Sequence, residues 1–361
     1  MSNGLQVPPR NETIHHRLYD FAKTALTKIF AHPYAIVCDL YCGGGRVTDS
    51  ERWETAPINH YIGIDLMNSG INDIKEAWES QRKGQYTAEF FEADPCSDEF
   101  QTQLQEKVNQ VDLVCCLQNL QLCFETEENA KKLLLNVSSL LKPGGYFFGI
   151  TPDSSTIWAK YQKNVESYHN RSGSLKLNIV PNCIRSESYT ITFEVEEEKF
   201  PLFGKKYQLK FAHDISSEVH CLVHFPSFMR LAREAGLDYV EIQNFTEFYD
   251  DNRMQFAGML THGGPNLVDA KGRLLPRSYD VLGLYSTFIF RKPNPDITPP
   301  VSSPLLVDPR SYDHDGVWPG TAWRDAEPIV VPEPPLGLGK ISEQKGILGP
   351  GPADLRFAEA L

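Results

Sequence analysis

Short apolar runs alternate with amphipathic stretches through the first 150 residues. Five runs have the length and composition of buried strands: Ala35–Leu40, His60–Leu66, Tyr86–Phe91, Val111–Cys116 and Tyr146–Ile150. Between the last two, apolar positions recur at helical spacing from Ala130 to Leu141, after Thr126 as a candidate N-cap. Strands that alternate with helices form right-handed βαβ crossovers, so this pattern predicts an α/β fold on a parallel sheet.

The pattern changes in the second half of the chain. Tyr189–Val195 alternates between apolar and polar residues, and Lys206–Ala212 does the same after a turn. We predict that the two runs form an antiparallel hairpin within a β insertion at residues 177–226. A helix near Ser227–Ala235 and two later strands, Leu237–Phe245 and Leu284–Arg291, then return to the main fold.

Proline is concentrated at the end of the chain, where residues 291–361 hold 13 of the 25 prolines. Such a composition buries too little apolar surface to offset chain entropy. We therefore predict one domain at residues 1–292, followed by a largely disordered tail at 293–361. The segment Gly316–Trp323 carries two tryptophans. It is either a docking segment for a protein partner or for the protein's own core, or loosely collapsed coil.

Charge and cysteine content restrict the function classes. The net charge of −12 argues against sequence-independent binding along a nucleic-acid duplex, but not against recognition of one nucleotide group in a pocket. The eight cysteines form neither a CxxC pair nor a spaced Cys/His quartet, so we expect reduced, mostly buried thiols and no zinc site. No apolar run reaches the roughly 18 residues of a membrane span.

A glycine turn and two acidic residues are the first chemical signal. Gly43 and its two following glycines end the first strand, Asp65 ends the second, and Asp94 follows the third. Asp65 is placed to accept hydrogen bonds from ribose hydroxyls, and Asp94 is placed to accept one from the exocyclic amine of an adenine. However, an aspartate at position 94 is also typical of a turn before Pro95. The dinucleotide fingerprint is incomplete, because Thr48 stands where its third glycine belongs. The three strand ends together favour an adenosine-containing ligand, and the glycines alone favour NAD and S-adenosylmethionine about equally.

Six longer stretches carry a more specific signal. They are Asp39–Gly45, Ala88–Asp94, Pro143–Pro152, Phe200–Tyr207, Val223–Pro226 and Phe245–Tyr249. With them, residues 17–292 resemble the eukaryotic mRNA cap guanine-N7 methyltransferases, and in particular the divergent second form in plants. The resemblance implies a class I S-adenosylmethionine-dependent methyltransferase fold, which is Rossmann-like with a mostly parallel seven-stranded sheet and an antiparallel β insertion. It also implies S-adenosylmethionine as methyl donor, 5′-capped RNA as substrate and a nuclear location.

The resemblance implies two sets of site residues. The methyl donor would be bound by Lys23, Gly43, Asp65, Asp94 and Gln118. The cap would be bound by Gln121, Pro152, Glu218, His220 and Tyr285. We expect neither a general base nor a metal, because guanine N7 already carries a free lone pair and the methyl group of a sulfonium is already activated.

Several positions differ from the family pattern. The turn that would bind the methyl donor spans residues 41–47 and is called the donor turn below. In it, Tyr41 replaces a glycine of the family. Leu117 stands where a glutamine is usual, with Gln118 adjacent. His220 replaces the glutamate that reads guanine. In an extended strand Glu218 shares the face of His220 and would supply a carboxylate there.

Two further differences are Arg46-Val47 in place of Gly-Asp, and Gln121-Leu122 in place of His-Tyr. Three functions therefore remain open at this point. The first is an active cap methyltransferase, the second a catalytically weak cap- or RNA-binding subunit, and the third a methyltransferase that acts on another RNA or small substrate.

Overall fold

A computed structural model describes residues 14–44, 53, 57–81, 86–105, 110–170, 180–194, 199–212, 214–261 and 266–296. The chain divides into two units, residues 1–295 and 296–361. The predicted disordered tail lies outside the described residues from position 297 onward, and so does the segment Gly316–Trp323. The donor-turn residues Gly45, Arg46 and Val47 lie outside them as well.

Eleven strands and eight helices lie within the described residues. The strands are β1 Ala35–Leu40, β2 Ile58–Asp65, β3 Thr87–Glu92, β4 Val111–Cys116, β5 Leu141–Pro152, β6 Cys183–Arg185, β7 Tyr189–Phe193, β8 Lys206–Phe211, β9 Glu218–Cys221, β10 Asp238–Asn244 and β11 Tyr285–Arg291. The helices are α1 Ile14–Phe30, α2 Asn68–Gln81, α3 Phe100–Gln105, α4 Glu127–Leu140, α5 Ser154–His169, α6 Phe225–Glu234, α7 Phe245–Leu260 and α8 Pro276–Leu282. Two 3₁₀ turns, Cys42–Gly44 and Leu120–Glu125, complete the set.

Seven strands form the main sheet in the order β10-β11-β5-β4-β1-β2-β3. Strands β1 to β5 are parallel, and β11 runs antiparallel between β5 and β10. Successive strand residues point to opposite faces, so Cys115 and Cys116 enter two separate core clusters. The fold is a class I methyltransferase fold, and the expected mostly parallel seven-stranded sheet is confirmed.

The helix starts follow local capping chemistry. Thr126 caps α4 as predicted, because its Oγ1 accepts a hydrogen bond from Asn129 N at 3.2 Å. Helix α6 begins two residues before the predicted position, because the ring nitrogen Nδ1 of His224 accepts from Ser227 N. Pro226 then occupies the first turn, where its missing N–H costs no hydrogen bond.

The β insertion is a four-stranded antiparallel sheet in the order β6-β7-β8-β9 rather than a single hairpin. The predicted pair is its centre, formed by β7 and β8. Strands β6 and β9 span three and four residues, too few for an alternating pattern to identify them.

The Asp280 carboxylate connects this insertion to the main domain. Asp280 of α8 accepts hydrogen bonds from Ser186 Oγ at 2.6 Å and from Tyr189 Oη at 3.0 Å, both in the insertion. It also pairs with Lys160 Nζ of α5 at 2.9 Å. Burial raises the pKa of Asp280, but the hydrogen bonds from Ser186 and Lys160 outweigh burial and lower the pKa overall.

Candidate functional site

The ends of β1 and β2 bring Gly43 and Asp65 together. Asp65 Oδ2 accepts from Gly43 N at 2.8 Å, and Oδ1 accepts from Met67 N at 3.0 Å. Each carboxylate oxygen has a second lone pair, so both can still accept a ligand hydroxyl. A Cβ on Gly43 would lie 2.8 Å from the backbone of Gly70 in α2, so only glycine fits at this approach.

Lys23 and Gln118 form a second pair at the same edge. Lys23 Nζ donates to Gln118 Oε1 at 2.8 Å, and Gln118 Nε2 donates to the Tyr41 carbonyl at 2.5 Å. The Lys23 side chain is buried, and its Nζ lies 5.1 Å from the ring centroid of Tyr19. Although Leu117 replaces the usual glutamine, the neighbouring Gln118 thus contacts both the donor turn and the lysine.

Asp94 follows β3 and closes a turn. Its Oδ1 accepts from Cys96 N at 2.8 Å, which is the turn geometry that competed with the adenine contact. The backbone amide of Ala93 donates to the Asp65 carbonyl at 3.0 Å, which holds the two acidic residues at neighbouring strand ends. The Asp94 side chain is exposed, and its contact with an adenine stays a prediction.

Tyr41 occupies the position at which the family has a glycine. Its φ of 60° lies in the left-handed region, where glycine is favoured. The ring is buried in one core cluster, and its hydroxyl lies 3.1 Å from Cys123 Sγ and 3.8 Å from Cys96 Sγ. The side chain is therefore a core side chain, while the carbonyl of the same residue accepts the hydrogen bond from Gln118.

The predicted cap residues form a separate group. Gln121 Nε2 lies 2.8 Å from His220 Nδ1, and because an amide nitrogen only donates, Nδ1 accepts. The ring proton of neutral His220 is then on Nε2, which lies 3.4 Å from Glu218 Oε2. The His220 ring stacks on its cross-strand partner Tyr207, with centroids 5.6 Å apart. The expected common face of Glu218 and His220 is confirmed.

Charge around Glu218 favours its ionised form. The nearby His220 ring lowers the pKa of Glu218 against the opposing effect of burial, and His15 and His16 of α1 lower it further. The carboxylate side chain is nonetheless 76% exposed, so it is an accessible acceptor.

Pro152 and Tyr285 lie opposite each other at the ends of β5 and β11. Burial raises the pKa of Tyr285, and the negative charges of Glu218 and Asp214 raise it further. The phenol therefore stays protonated and can donate a hydrogen bond.

Tyr19 joins the two groups and was not predicted from the sequence. Its hydroxyl donates to the Leu117 carbonyl at 2.8 Å, its ring lies beside Lys23, and its centroid is 5.1 Å from that of Tyr285. Tyr19 precedes Lys23 by four residues in one helix, and this spacing alone indicates a shared face. No comparable signal pointed to Gly70 or Tyr207, whose contacts depend on tertiary structure.

Metal-ligand clusters and membrane-spanning helices are both absent from the part of the chain that the structure describes. Within the described residues, no group of three or more His, Cys, Asp or Glu side chains is arranged to hold a metal ion. None of the described helices combines the length and the apolar composition needed to cross a membrane. All eight cysteines are described, and all are free thiols.

Comparisons with known proteins point to one family. The family model for the mRNA (guanine-N(7))-methyltransferase domain matches residues 12–293. The Arabidopsis thaliana protein named mRNA cap guanine-N(7) methyltransferase 2 is 65% identical over 356 residues, which cover 98% of this chain and 99% of that protein. A protein of the same name from Oryza sativa subsp. japonica is 63% identical over 345 residues, which cover 96% and 99% of the two chains. Among solved structures, an S-adenosylmethionine-dependent methyltransferase from Clostridium acetobutylicum is similar at 12% identity and a TM-score of 0.42, over 78% of this chain and 92% of that chain.

Proposed function

Because the chain belongs to the mRNA (guanine-N(7))-methyltransferase family, we propose that its two residue groups bind a methyl donor and a 5′ cap for transfer to guanine N7. The position of Tyr19 carries the residue assignment. One aromatic ring lies beside Lys23 on the donor side and beside Tyr285 on the cap side. A direct methyl transfer requires such adjacency, because donor and acceptor atoms must come within contact distance.

The donor-side residues fit S-adenosylmethionine, which supplies an activated methyl group on a sulfonium when bound. The Asp65 carboxylate is already oriented by two backbone amides and has lone pairs for the two ribose hydroxyls. Lys23 and Gln118 offer an ammonium and an amide for the amino-acid end of the donor. The donor-side residues thus supply an acid in Asp65, a base in Lys23 and an amide in Gln118. This combination suits a ligand with hydroxyl, carboxylate and amino groups.

The cap-side residues fit guanine better than adenine. Guanine presents N1–H and a 2-amino group as donors, and Glu218 is an ionised, accessible acceptor. Gln121 fixes the tautomer of His220, which leaves the ring proton on Nε2, the nitrogen 3.4 Å from Glu218 Oε2. Adenine lacks this pair of donors, so it would leave the carboxylate unpaired at a cost of about 1–3 kcal/mol.

Catalysis follows from orientation. Guanine N7 has no proton to remove, so the protein needs no general base at that atom. Holding both ligands on rigid elements is worth up to about 7–11 kcal/mol of the barrier in favourable cases. The cap residues lie on β5, β9, β11 and a 3₁₀ turn, and the donor residues lie on α1 and at strand ends. Since no step requires a Lewis acid, we expect full activity in the presence of EDTA.

The decisive experiment is methyl transfer to RNA that begins with unmethylated GpppA, combined with titration of S-adenosylhomocysteine. We expect product methylated at guanine N7. Binding of S-adenosylhomocysteine without turnover would instead favour a cap- or RNA-binding subunit. Turnover on a different acceptor would favour a methyltransferase that acts on another RNA or small substrate.

Two variants test the division of the site. Asp65→Ala should abolish binding of S-adenosylhomocysteine, because it removes the acceptor for the ribose. Tyr285→Ala should preserve that binding and weaken binding of the cap. The opposite pattern would overturn the assignment of the two groups.

Two proposals concern the chain as a whole. A cap methyltransferase acts on new transcripts, which supports a nuclear location, and imaging of a fluorescent fusion in plant cells tests it.

We also propose that Gly316–Trp323 binds a protein partner. Limited proteolysis on both sides of Trp318 tests it, since cleavage at linker-like rates in a cell extract would contradict docking.

A further inference from the structure

Two thiols meet at the hydroxyl of Tyr41. Cys123 Sγ lies 3.1 Å and Cys96 Sγ 3.8 Å from the same oxygen. Cys96 belongs to the turn after β3, while Cys123 lies in the 3₁₀ turn Leu120–Glu125, which also carries Gln121. Residues from three separate parts of the chain therefore bring two sulfur atoms to one oxygen, the hydroxyl of Tyr41.

The two thiols differ in the properties that decide reactivity. Cys96 is partly exposed, and a hydrogen bond from the Cys123 thiol lowers its pKa against the opposing effect of burial. Cys123 is buried, and its interaction with Cys96 raises its pKa well above the ordinary value. A partly exposed thiol with a lowered pKa, close to a second thiol, is the usual arrangement of a redox-sensitive pair.

We propose that Cys96 and Cys123 form a reversible disulfide that weakens binding of the methyl donor. With hydrogen peroxide as oxidant, the Cys96 thiolate attacks one peroxide oxygen. An S–O bond forms, the O–O bond breaks, and the leaving hydroxide takes up a proton as water. The Cys123 sulfur then attacks the Cys96 sulfenic acid, so that the S–S bond forms and a second water leaves. The two thiols lose two electrons and two protons in total, which the peroxide accepts.

The disulfide would act on the donor side through Tyr41. This residue holds a left-handed conformation while its hydroxyl contacts both thiols. Forming the S–S bond removes those contacts, and the carbonyl of the same residue accepts the hydrogen bond from Gln118 Nε2. Gln118 in turn accepts from Lys23, so the displacement of one ring reaches two predicted donor-binding side chains.

The disulfide would also affect the donor side through Cys96. Cys96 N donates to Asp94 Oδ1, so drawing Cys96 toward Cys123 also moves the turn that carries Asp94. The effect on the methyl donor rests on the function proposed above, whereas formation of the disulfide does not.

The test uses the full-length protein, treated with hydrogen peroxide and then divided into samples with and without dithiothreitol. Mass spectrometry of a non-reduced digest reads out the crosslink, and calorimetric titration with S-adenosylhomocysteine reads out donor affinity. We expect a linked Cys96–Cys123 peptide and a loss of affinity of about tenfold, within the usual range of coupling between sites, that dithiothreitol reverses.

Three variants separate this pair from general oxidation, each compared with itself before and after peroxide. Cys96→Ser should form no crosslink and keep its affinity, and Cys123→Ser should behave in the same way. Cys183→Ser is the matched control: it removes a partly exposed thiol in the insertion, so both the crosslink and the effect should remain.

The proposal is overturned if no Cys96–Cys123 peptide appears, if the linked protein binds S-adenosylhomocysteine as before, or if Cys96→Ser loses affinity equally. Because Cys96 is partly exposed, Cys96→Ser keeps the test valid even if the buried Cys123→Ser fails to fold. Failure of untreated protein to bind S-adenosylhomocysteine would contradict the proposed function alone, since the crosslink is read separately.

Discussion

Gly70 is required by contact rather than by backbone conformation. It lies in the first turn of α2, and a Cβ there would be 2.9 Å from both the Cα and the carbonyl oxygen of Gly43. Contact with backbone atoms cannot be relieved by a rotamer change. The two glycines thus hold the start of α2 against the turn whose amide contacts Asp65.

Gly70→Ala should therefore lower donor affinity even though alanine is the better helix former. The added methyl group pushes α2 away from the donor turn and disturbs the hydrogen bond between Gly43 and Asp65. We expect weaker binding of S-adenosylhomocysteine by calorimetry, with the affinity for a cap analogue less affected. Gly258→Ala in α7 is the matched control, because its Cβ would meet no atom within 4 Å. It should stabilise the protein by up to about 1 kcal/mol and leave binding unchanged. Equal affinities in the two variants would contradict the role of Gly70.

Glu218 gives the corresponding prediction on the cap side. Glu218→Gln replaces an ionised acceptor with a neutral amide, so binding of a GpppA analogue should weaken by about 1–3 kcal/mol. Fluorescence titration measures this loss, and affinity for S-adenosylhomocysteine should not change. The control is Glu241→Gln, which alters an exposed carboxylate on the edge strand β10. Unchanged cap affinity in Glu218→Gln would remove this residue from the site.

At the scale of elements, strands and helices with long regular patterns were predictable. The predicted bounds of β1 and β4 agree with the structure, because buried strands need apolar residues on both faces. The start of β5 was predicted wrongly. Lys142–Gly145 was expected to be a stop and turn, yet β5 begins at Leu141, where it pairs with Val111 through a register shift. Local turn residues favoured a break, and pairing with the neighbouring strand overrode them.

The candidate site was predictable only in part, for a related reason. The family resemblance and the positions of the strand ends predict which residues bind ligands, and Gln121 and His220 are examples. Their hydrogen bond joins positions 99 residues apart, and no local pattern encodes such a distance. Tyr207 faces His220 only through the register of β8 and β9, which a one-residue slip would reverse.

Asp280 gives a prediction about how the insertion is attached. Asp280→Asn should lower the free energy of unfolding by about 1–3 kcal/mol, because three donors lose a charged acceptor. The native pKa lies below the ordinary value, so the stabilisation is present above that ordinary value and is lost as pH falls through the native pKa. In denaturant titrations, the difference between wild type and variant should shrink as pH falls from about 6 toward about 3.

The matched control for Asp280 is Glu187, which also links the insertion to α8, but at the protein surface. Glu187 pairs with Arg277 of α8, and both side chains are largely exposed. Glu187→Gln should therefore change stability by less than about 1 kcal/mol. If the effect of Asp280→Asn were as small, or did not depend on pH, this carboxylate would not be a main attachment of the insertion.

At the scale of the whole molecule, net charge shapes how RNA is bound. A chain with a net charge of −12 repels a polyphosphate backbone beyond the few positions where lysines and arginines face it. We therefore expect recognition to depend mainly on the cap itself. The net negative charge should disfavour uncapped RNA rather than attract all RNA.

This charge predicts a shallow salt dependence. We expect binding of capped RNA to weaken with a slope of about −1 to −3 in a plot of log K against log salt, as for a ligand with few phosphate contacts. Fluorescence anisotropy on capped and uncapped oligonucleotides of the same sequence measures it. A slope near −7, or equal affinity for both oligonucleotides, would mean that the backbone dominates.

The place of Tyr19 has a thermodynamic consequence. Since a single side chain of α1 lies against both residue groups, a ligand that orders it for one group has already met part of the cost of ordering it for the other. Binding of the two ligands at these residue groups should then be cooperative. Cooperativity of this kind is reciprocal, so the factor by which S-adenosylhomocysteine tightens a cap analogue must equal the factor in the opposite direction.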